Sequence, residues 1–392
     1  MLLPKTDSDA VIVAACRTPI GKFKGVFAAT RPENLAAAVM HELLRRVPQV
    51  KPWWVEDVLF GCAIPEAEQG MNVARNSVLL AGLPFSVPAA TINRCCASGL
   101  ETIARASERI ESGKADIVIA GGVESMSMVP MHPHFGHVYR PHPDLERDTR
   151  AYISMVCGAE TLRKSYNISR REQDAFALES HCKAVAAQDG GKFIDEITPV
   201  QIPDGAVVSA DEGPRRDTSL EKLAALKPIN WENDFASTVT AGNASQRSDG
   251  AAGTLVMSRK RAEELGIKPF ARLIDYMVTG TRPEYFGIGP FEAMYAVLRR
   301  TGLKKEDIGL VELNEAFAAQ ALAVLRTIYI KREILNVNGG AIALGHPLGC
   351  TGARIAATLI HEMRRRSVEF GLETMCVGGG MGAAGIFQLE DA

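Results

Sequence analysis

Residues 91–122 read TINRCCASGLETIARASERIESGKADIVIAGG. A short stub at 91–93 meets a turn of small residues, a helix follows over 98–112, and a Val/Ile-rich strand at 116–120 ends in Gly121 and Gly122. Residues 336–380 repeat this order. A strand at 336–338 leads into the turn GHPLGCTGA (345–353), a helix over 351–366, and a strand at 373–377 that ends in Gly378, Gly379 and Gly380. Each copy places a reactive residue type at a strand-to-helix turn. Two stacked copies of one α/β unit bring the two turns toward a shared axis.

The pattern extends outward on both sides. A buried strand is expected at 10–15, a helix at 34–47 and a strand at 58–62. After Gly250 come strands at 251–257 and 271–278, a helix at 290–301, a strand at 308–313 and a helix at 316–325. Between 126 and 241 the alternation breaks into Pro- and His-rich loops, a polar helix at 170–188 and a turn-rich run at 202–216. The expected organisation is an α/β fold of two similar layered halves. The N-terminal half spans 1–125 and is completed by 246–275, a loop domain is inserted at 126–245, and the C-terminal half spans 276–392.

Composition narrows the function classes. The chain has 392 residues, 46% hydrophobic and 23% charged, as folded soluble proteins do. Lys plus Arg number 44 against 46 Asp plus Glu, so there is no basic surplus to neutralise phosphates, which argues against nucleic acid as a partner. No apolar run approaches the roughly 20 residues of a membrane span, and the first ten residues lack the pattern of a signal peptide. The eight cysteines contain no CxxC pair. They read as thiols of a reducing compartment, with a cytoplasmic location expected.

Four segments carry residues with chemistry. Cys95 and Cys96 precede a helix. The positive end of its dipole lowers a thiol pKa and favours thiolate, unless the thiol is simply a small core residue. His346 lies in a Gly- and Pro-dense loop, placed either as a base near neutral pH or as a backbone-bonding histidine. Cys376 precedes three glycines whose N–H groups are free to face a developing oxyanion, or which only permit tight packing. Asn314 stands at a strand-to-helix junction, where it is either a site residue or a helix N-cap.

Together these segments resemble the thiolase family. The matching stretches are NRCCASGL (93–100), GGVESMS (121–127), TAGNAS (240–245), NEAFA (314–318), NGGAIALGHPLGCTGAR (338–354) and TMCVGGGMGAA (374–384), in family order across most of the chain. The resemblance implies a homo-oligomer, dimer or tetramer, whose loop domain covers coenzyme A. It implies Cys96 as the acyl-accepting nucleophile, His346 as its activator and Cys376 as the acid/base at the α-carbon of acetyl-CoA. Asn314 would hold a water that forms one oxyanion hole with His346. The N–H groups of Cys96 and Gly378 would form the other. Ser245, Met155, Arg215, Ala316 and Phe317 match positions that contact substrate or coenzyme A. No metal or redox cofactor is implied, since coenzyme A is a substrate, and a β-oxidation multienzyme partner is compatible. Cysteine at 376, where related condensing enzymes carry histidine or asparagine, favours thiolase over ketosynthase.

The departures cluster around the acyl chain and pantetheine. Ser154-Met155 stands where biosynthetic acetoacetyl-CoA thiolases carry His-Met, and it looks like the degradative 3-ketoacyl-CoA branch. Val156 replaces a usual Gly, Phe286 a usual Met, and Ser248-Asp249-Gly250 the usual Asn-Asp-Gly. An aromatic usual near 229 is displaced to Trp231. Outside the resemblance, His132, His134, His137 and His142 cluster with prolines. The expected reading is a surface loop, because no cysteine or carboxylate pattern completes a metal site.

Overall fold

A computed structural model describes residues 5–129, 141–229, 234 and 236–390. His132, His134, His137, Asn230 and Trp231 lie outside these residues. His142 is described, and its side chain caps the short helix Pro143–Asp148.

The N-terminal half is built on strands β1 (Ala10–Arg17), β2 (Asp57–Gly61), β3 (Ala89–Ile92), β4 (Ile117–Ser125) and β5 (Ser248–Ser258). The C-terminal half uses β6 (Ala271–Gly280), β7 (Leu310–Leu313), β8 (Phe370–Val377) and β9 (Met381–Leu389). The sheet order is β7-β8-β9-β6-β1-β5-β4-β2-β3. β1 touches β6 through the single pair Ile12–Ala271, so the two halves meet edge to edge at one point. Counted outward from that contact, each half has two antiparallel pairings and then a parallel one. The N-terminal half adds β3 parallel to β2, and the C-terminal half adds a parallel bridge from Val311 to Leu335. This is the internal repeat at the level of topology.

The main helices are α1 (Pro32–Arg46), α2 (Ser98–Glu111), α3 (Met155–Ser165), α4 (Arg170–Asp189), α5 (Gly289–Thr301), α6 (Ala318–Thr327) and α7 (Thr351–Arg366). The repeated helices α2 and α7 form the central layer. Their apolar residues, among them Leu100, Ile103, Ile355 and Leu359, share one core cluster with Val118 and Val256 of one half and Met375 and Phe387 of the other. Helix α7 is buried on every face from Thr351 to Met363, as a helix between two sheets must be. Helices α2 and α7 cross at glycines. A Cβ at Gly99 would lie 2.5 Å from Ala353 N, and one at Gly352 would lie 2.3 Å from Leu100 N. That close approach brings the two helix starts, and the turns before them, together.

Four expectations are corrected. β6 begins at Ala271 and pairs along its length with β9, so the C-terminal half starts at 271 rather than 276. Gly121 and Gly122 do not end β4, which runs on to Ser125. A Cβ at Gly122 would lie 2.1 Å from Gly349 O, so this glycine makes room for the loop that crosses it. Residues 336–338 are not a strand, and only the Leu335 bridge stands there. β9 was not expected: MGAAGIFQL offers small residues in place of the β-branched run that marks a strand.

Candidate active site

Cys96 sits between β3 and α2 on a tight turn. Cys95 takes the left-handed conformation at φ 45°, a strained choice for a non-glycine. Three bonds hold the turn: Cys95 N donates to Asn93 Oδ1 at 2.8 Å, Ser98 Oγ donates to Cys95 O at 2.6 Å, and Arg94 N donates to Ser98 Oγ at 2.8 Å. The turn leaves Cys96 half-buried, with the Gly378 N–H directed at its sulfur.

His346 follows Gly345, whose φ of 95° needs a glycine. The His346 N–H is shared between Gln246 O at 3.0 Å and Ser248 Oγ at 3.3 Å. Its Nδ1 lies 2.6 Å from Thr351 Oγ1, and that hydroxyl donates its only proton to Pro347 O at 2.9 Å. Nδ1 is therefore assigned as the N–H, and Nε2 carries the lone pair. Asn314 Nδ2 faces that Nε2 at 3.4 Å. Asn314 Oδ1 is buried and has no partner among the described residues, so it is an acceptor free to hold a water. Asn314 does not cap a helix: α6 starts at Ala318, and the Asn314 N–H bonds Thr374 O at 2.9 Å.

Cys376 is the next-to-last residue of β8 and is buried in an apolar cluster with Phe286, Ala316, Phe317, Met155 and Val156. Three of the five expected substrate contacts, Met155, Ala316 and Phe317, thus lie in the apolar cluster that holds Cys376. Ser245 joins them: its N–H donates to Ala316 O at 2.9 Å, and Ala244 forms a bridge with Phe317. Ser154 caps α3, accepting from Cys157 N at 3.2 Å, which sets Met155 at the first helical position. Phe286 lies over Gly158, where a Cβ would come within 2.4 Å of the ring. Arg215 stands apart. Its guanidinium is exposed and bonds no other member of the set, although its loop is tied in by Gln246 Nε2 to Gly213 O at 3.1 Å and by its own N–H to His181 Nδ1 at 3.1 Å.

The electrostatics correct the expectation of a thiolate at rest. Burial pushes Cys96 well above an ordinary thiol, and the neighbouring Cys376 and Cys95 add to the rise. The bond from Gly378 opposes it but does not win. Burial likewise pushes Cys376 up to about 12. His346 is pushed down to about 3, first by burial and then by the charge of Arg354. At neutral pH the site therefore holds two protonated thiols and a neutral imidazole. That arrangement contains a base lone pair at His346 Nε2, a nucleophile with a proton to give, an acid in an apolar pocket, and N–H donors beside the nucleophile.

Two contributors were not singled out from the sequence. Thr351 fixes the tautomer of His346; its signal was a hydroxyl at the first residue of α7, five positions after the histidine. Ser248, noted only as a departure, accepts from the histidine backbone. Among the described residues no group of His, Cys, Asp or Glu is arranged to hold a metal ion, and no helix is long and apolar enough to cross a membrane.

Two family models match the chain: the thiolase N-terminal domain over residues 10–260 and the thiolase C-terminal domain over residues 267–389. The 3-ketoacyl-CoA thiolase of Bacillus subtilis (strain 168) is 50% identical over 395 residues, covering 97% of this chain and 99% of that protein. The 3-ketoacyl-CoA thiolase of Aliivibrio fischeri is 47% identical over 389 residues, with the same coverage of 97% and 99%. Among solved structures, the dimeric peroxisomal thiolase of Saccharomyces cerevisiae superposes with a TM-score of 0.91 at 40% identity, covering 99% of each chain. The Bacillus anthracis acetyl-CoA acetyltransferase superposes with a TM-score of 0.89 at 41% identity, covering 97% of this chain and 98% of that one.

Proposed function

The chain belongs to the thiolase family, and from that premise we propose that it cleaves 3-ketoacyl-CoA with coenzyme A, giving acetyl-CoA and an acyl-CoA two carbons shorter. Two groupings support this reading: Cys96 beside Gly378 and Cys376, and Asn314 beside His346, with the Asn314 N–H bonded to Thr374 O two residues before Cys376.

His346 Nε2 takes the Cys96 proton. The thiolate sulfur attacks the C3 ketone, forming a C–S bond and a tetrahedral oxyanion. The N–H groups of Cys96 and Gly378, beside the attacking sulfur, stabilise that charge. Collapse breaks C2–C3 and leaves the electron pair on an acetyl-CoA enolate, whose oxygen faces protonated His346 and a water held by Asn314. Cys376 gives its proton to the enolate carbon. Coenzyme A then enters, its thiol proton passes to Cys376, and its thiolate takes the acyl group from Cys96. The imidazolium returns its proton to Cys96. The cycle closes with two thiols, one base and N–H donors, so coenzyme A acts as substrate and no metal or redox cofactor takes part.

Ser245, Met155, Ala316 and Phe317 line the acyl and pantetheine path. Arg215 serves the nucleotide end, and residues 126–245 cover coenzyme A. The chain works as a homo-oligomer: β3 is an edge strand with no partner on its outer side among the described residues, flanked by exposed Met71, Leu79, Leu80 and Phe85. Catalysis needs both thiols reduced, which supports a reducing compartment, and the cytoplasm is the one proposed.

The test is thiolysis of acetoacetyl-CoA by coenzyme A, followed by loss of the 3-ketothioester absorbance, and then a C4, C8 and C12 substrate series. Each buried methylene adds up to about 0.8 kcal/mol of transition-state binding, so kcat/KM should rise by up to about 200-fold over four methylenes. A maximum at C4 with no C8 cleavage would replace this reading with that of an acetoacetyl-CoA thiolase. No turnover at all would leave an acyl-CoA-binding subunit.

A further inference from the structure

Glu124 has no part in the chemistry above, yet it is the most heavily bonded carboxylate near it. It lies near the end of β4 at 0% exposure. Oε2 accepts from Ala63 N at 2.8 Å and from Gly349 N at 2.7 Å. Oε1 accepts from Gln69 Nε2 at 2.7 Å, from Ile64 N at 3.3 Å and from the Cys62 thiol at 3.7 Å. Every neighbour in this set is a donor, a pattern that only an ionised carboxylate satisfies. Burial pushes the Glu124 pKa up, and the four nitrogen donors oppose that push.

The geometry gives these bonds a purpose. Gly349 belongs to the C-terminal half and follows His346 by three residues, whereas Ala63, Ile64 and Gln69 belong to the N-terminal half. The backbone here is too close for side chains. A Cβ at Gly349 would lie 2.6 Å from Cys62 Cα and 2.8 Å from Glu124 Oε2, and one at Gly99, three residues past Cys96, would lie 3.1 Å from Gly349 O. Gln69 extends the clamp, donating also to Ile64 O at 2.7 Å and accepting from Ser125 N at 2.5 Å.

We propose that Glu124 is a positioning residue for the thiolase reaction: its carboxylate ties the loop carrying His346 to the N-terminal half and so sets the reach of the base to Cys96. This rests on the assignment of Cys96 as nucleophile and His346 as base. Glutamine at 124 keeps the shape but turns an NH₂ toward N–H donors, and aspartate keeps the charge but is one methylene too short to span residues 63 and 349.

The assay is the time course of Cys96 acetylation by acetyl-CoA, read by mass spectrometry, beside steady-state thiolysis of acetoacetyl-CoA. The wild type is read first, and absence of an acetyl group on its Cys96 would defeat the nucleophile assignment itself. In Glu124→Gln and Glu124→Asp, every protomer should still acetylate, but about 10- to 100-fold more slowly, with kcat lowered alike and KM within about 3-fold, as a displaced base predicts. A wild-type rate on a reduced fraction of protomers would show a purely structural role and overturn the proposal, as would wild-type kcat in both variants. Amide exchange on the wild type needs no substitution: slow exchange at Gly349 supports the tie, and exchange as fast as in an open loop overturns it.

Discussion

At the scale of single residues, the site is set by burial more than by local charge. A thiol before a helix start reads as a thiolate, but burial is a tertiary property, and at Cys96 it outweighs the hydrogen bond from Gly378 and raises the pKa. The sign is testable. A raised thiol pKa means that the reactive thiolate fraction keeps growing as pH rises past the ordinary value of about 8.5. Alkylation of Cys96 by iodoacetamide should therefore climb through about pH 9. A plateau already reached below about pH 7 would mean a preformed thiolate–imidazolium pair, contrary to a histidine pushed down to about 3. Cys376 makes the complementary case. In Cys376→Ser, the acetyl group should still load onto Cys96, while deuterium exchange into the acetyl-CoA methyl group should fall by about 100-fold or more, because a hydroxyl is a far weaker proton shuttle. Wild-type exchange rates would remove Cys376 from the acid/base role.

At the scale of elements, the Cys96 and His346 turns were legible because each couples a small-residue run to a helix, amphipathic in α2 and largely buried in α7. The start of α2 at Ser98 and all of α7, Thr351–Arg366, lie where the pattern put them. What stayed hidden depends on partners distant in sequence. β9 shows no strand signal of its own and is defined by its pairing with β6 and β8. Glu124 and Thr351 stood inside recognisable motifs, but nothing in their spacing says that one would face five donors or that the other would orient an imidazole. Thr351 carries the element-scale prediction. Thr351→Val keeps the shape and the helix start but removes the acceptor for Nδ1–H. The imidazole then loses both its fixed tautomer and about 1 kcal/mol of orientation. A fall in kcat of about 10-fold with little change in KM is expected in thiolysis assays. An unchanged kcat would show that the loop backbone alone, through Gln246 and Ser248, holds the ring.

At the scale of the whole molecule, the two halves close on each other through α2, α7 and the Ile12–Ala271 contact, but among the described residues the outer edge of the N-terminal sheet has no partner strand. Edge strands with a free ladder and apolar neighbours invite pairing with another chain. Here the apolar neighbours are large: Met71 is 93% exposed and Phe85 is 86% exposed, beside a β3 that carries Ala90 and Ile92. In a two-fold pair each such side chain is buried twice, so Met71 and Phe85 together contribute at least about 6 kcal/mol, taking about 1.5 kcal/mol for each of four side chains. Replacing both by glutamate removes that burial and sets like charges against each other across the axis. The dissociation constant should weaken by at least about 10,000-fold, which takes a dimer of about nanomolar Kd to about 10 µM or weaker, so that it dissociates below that concentration. Sedimentation velocity of the wild type and of the Met71→Glu, Phe85→Glu double variant reads this directly. A wild type that sediments as a monomer would refute the assembly. A double variant that stays dimeric would move the interface to another face. β3 also leads, within four residues, to Cys96. Loss of the partner should therefore loosen the Cys96 turn, and the monomeric variant should lose thiolysis activity while it keeps its helical and strand content.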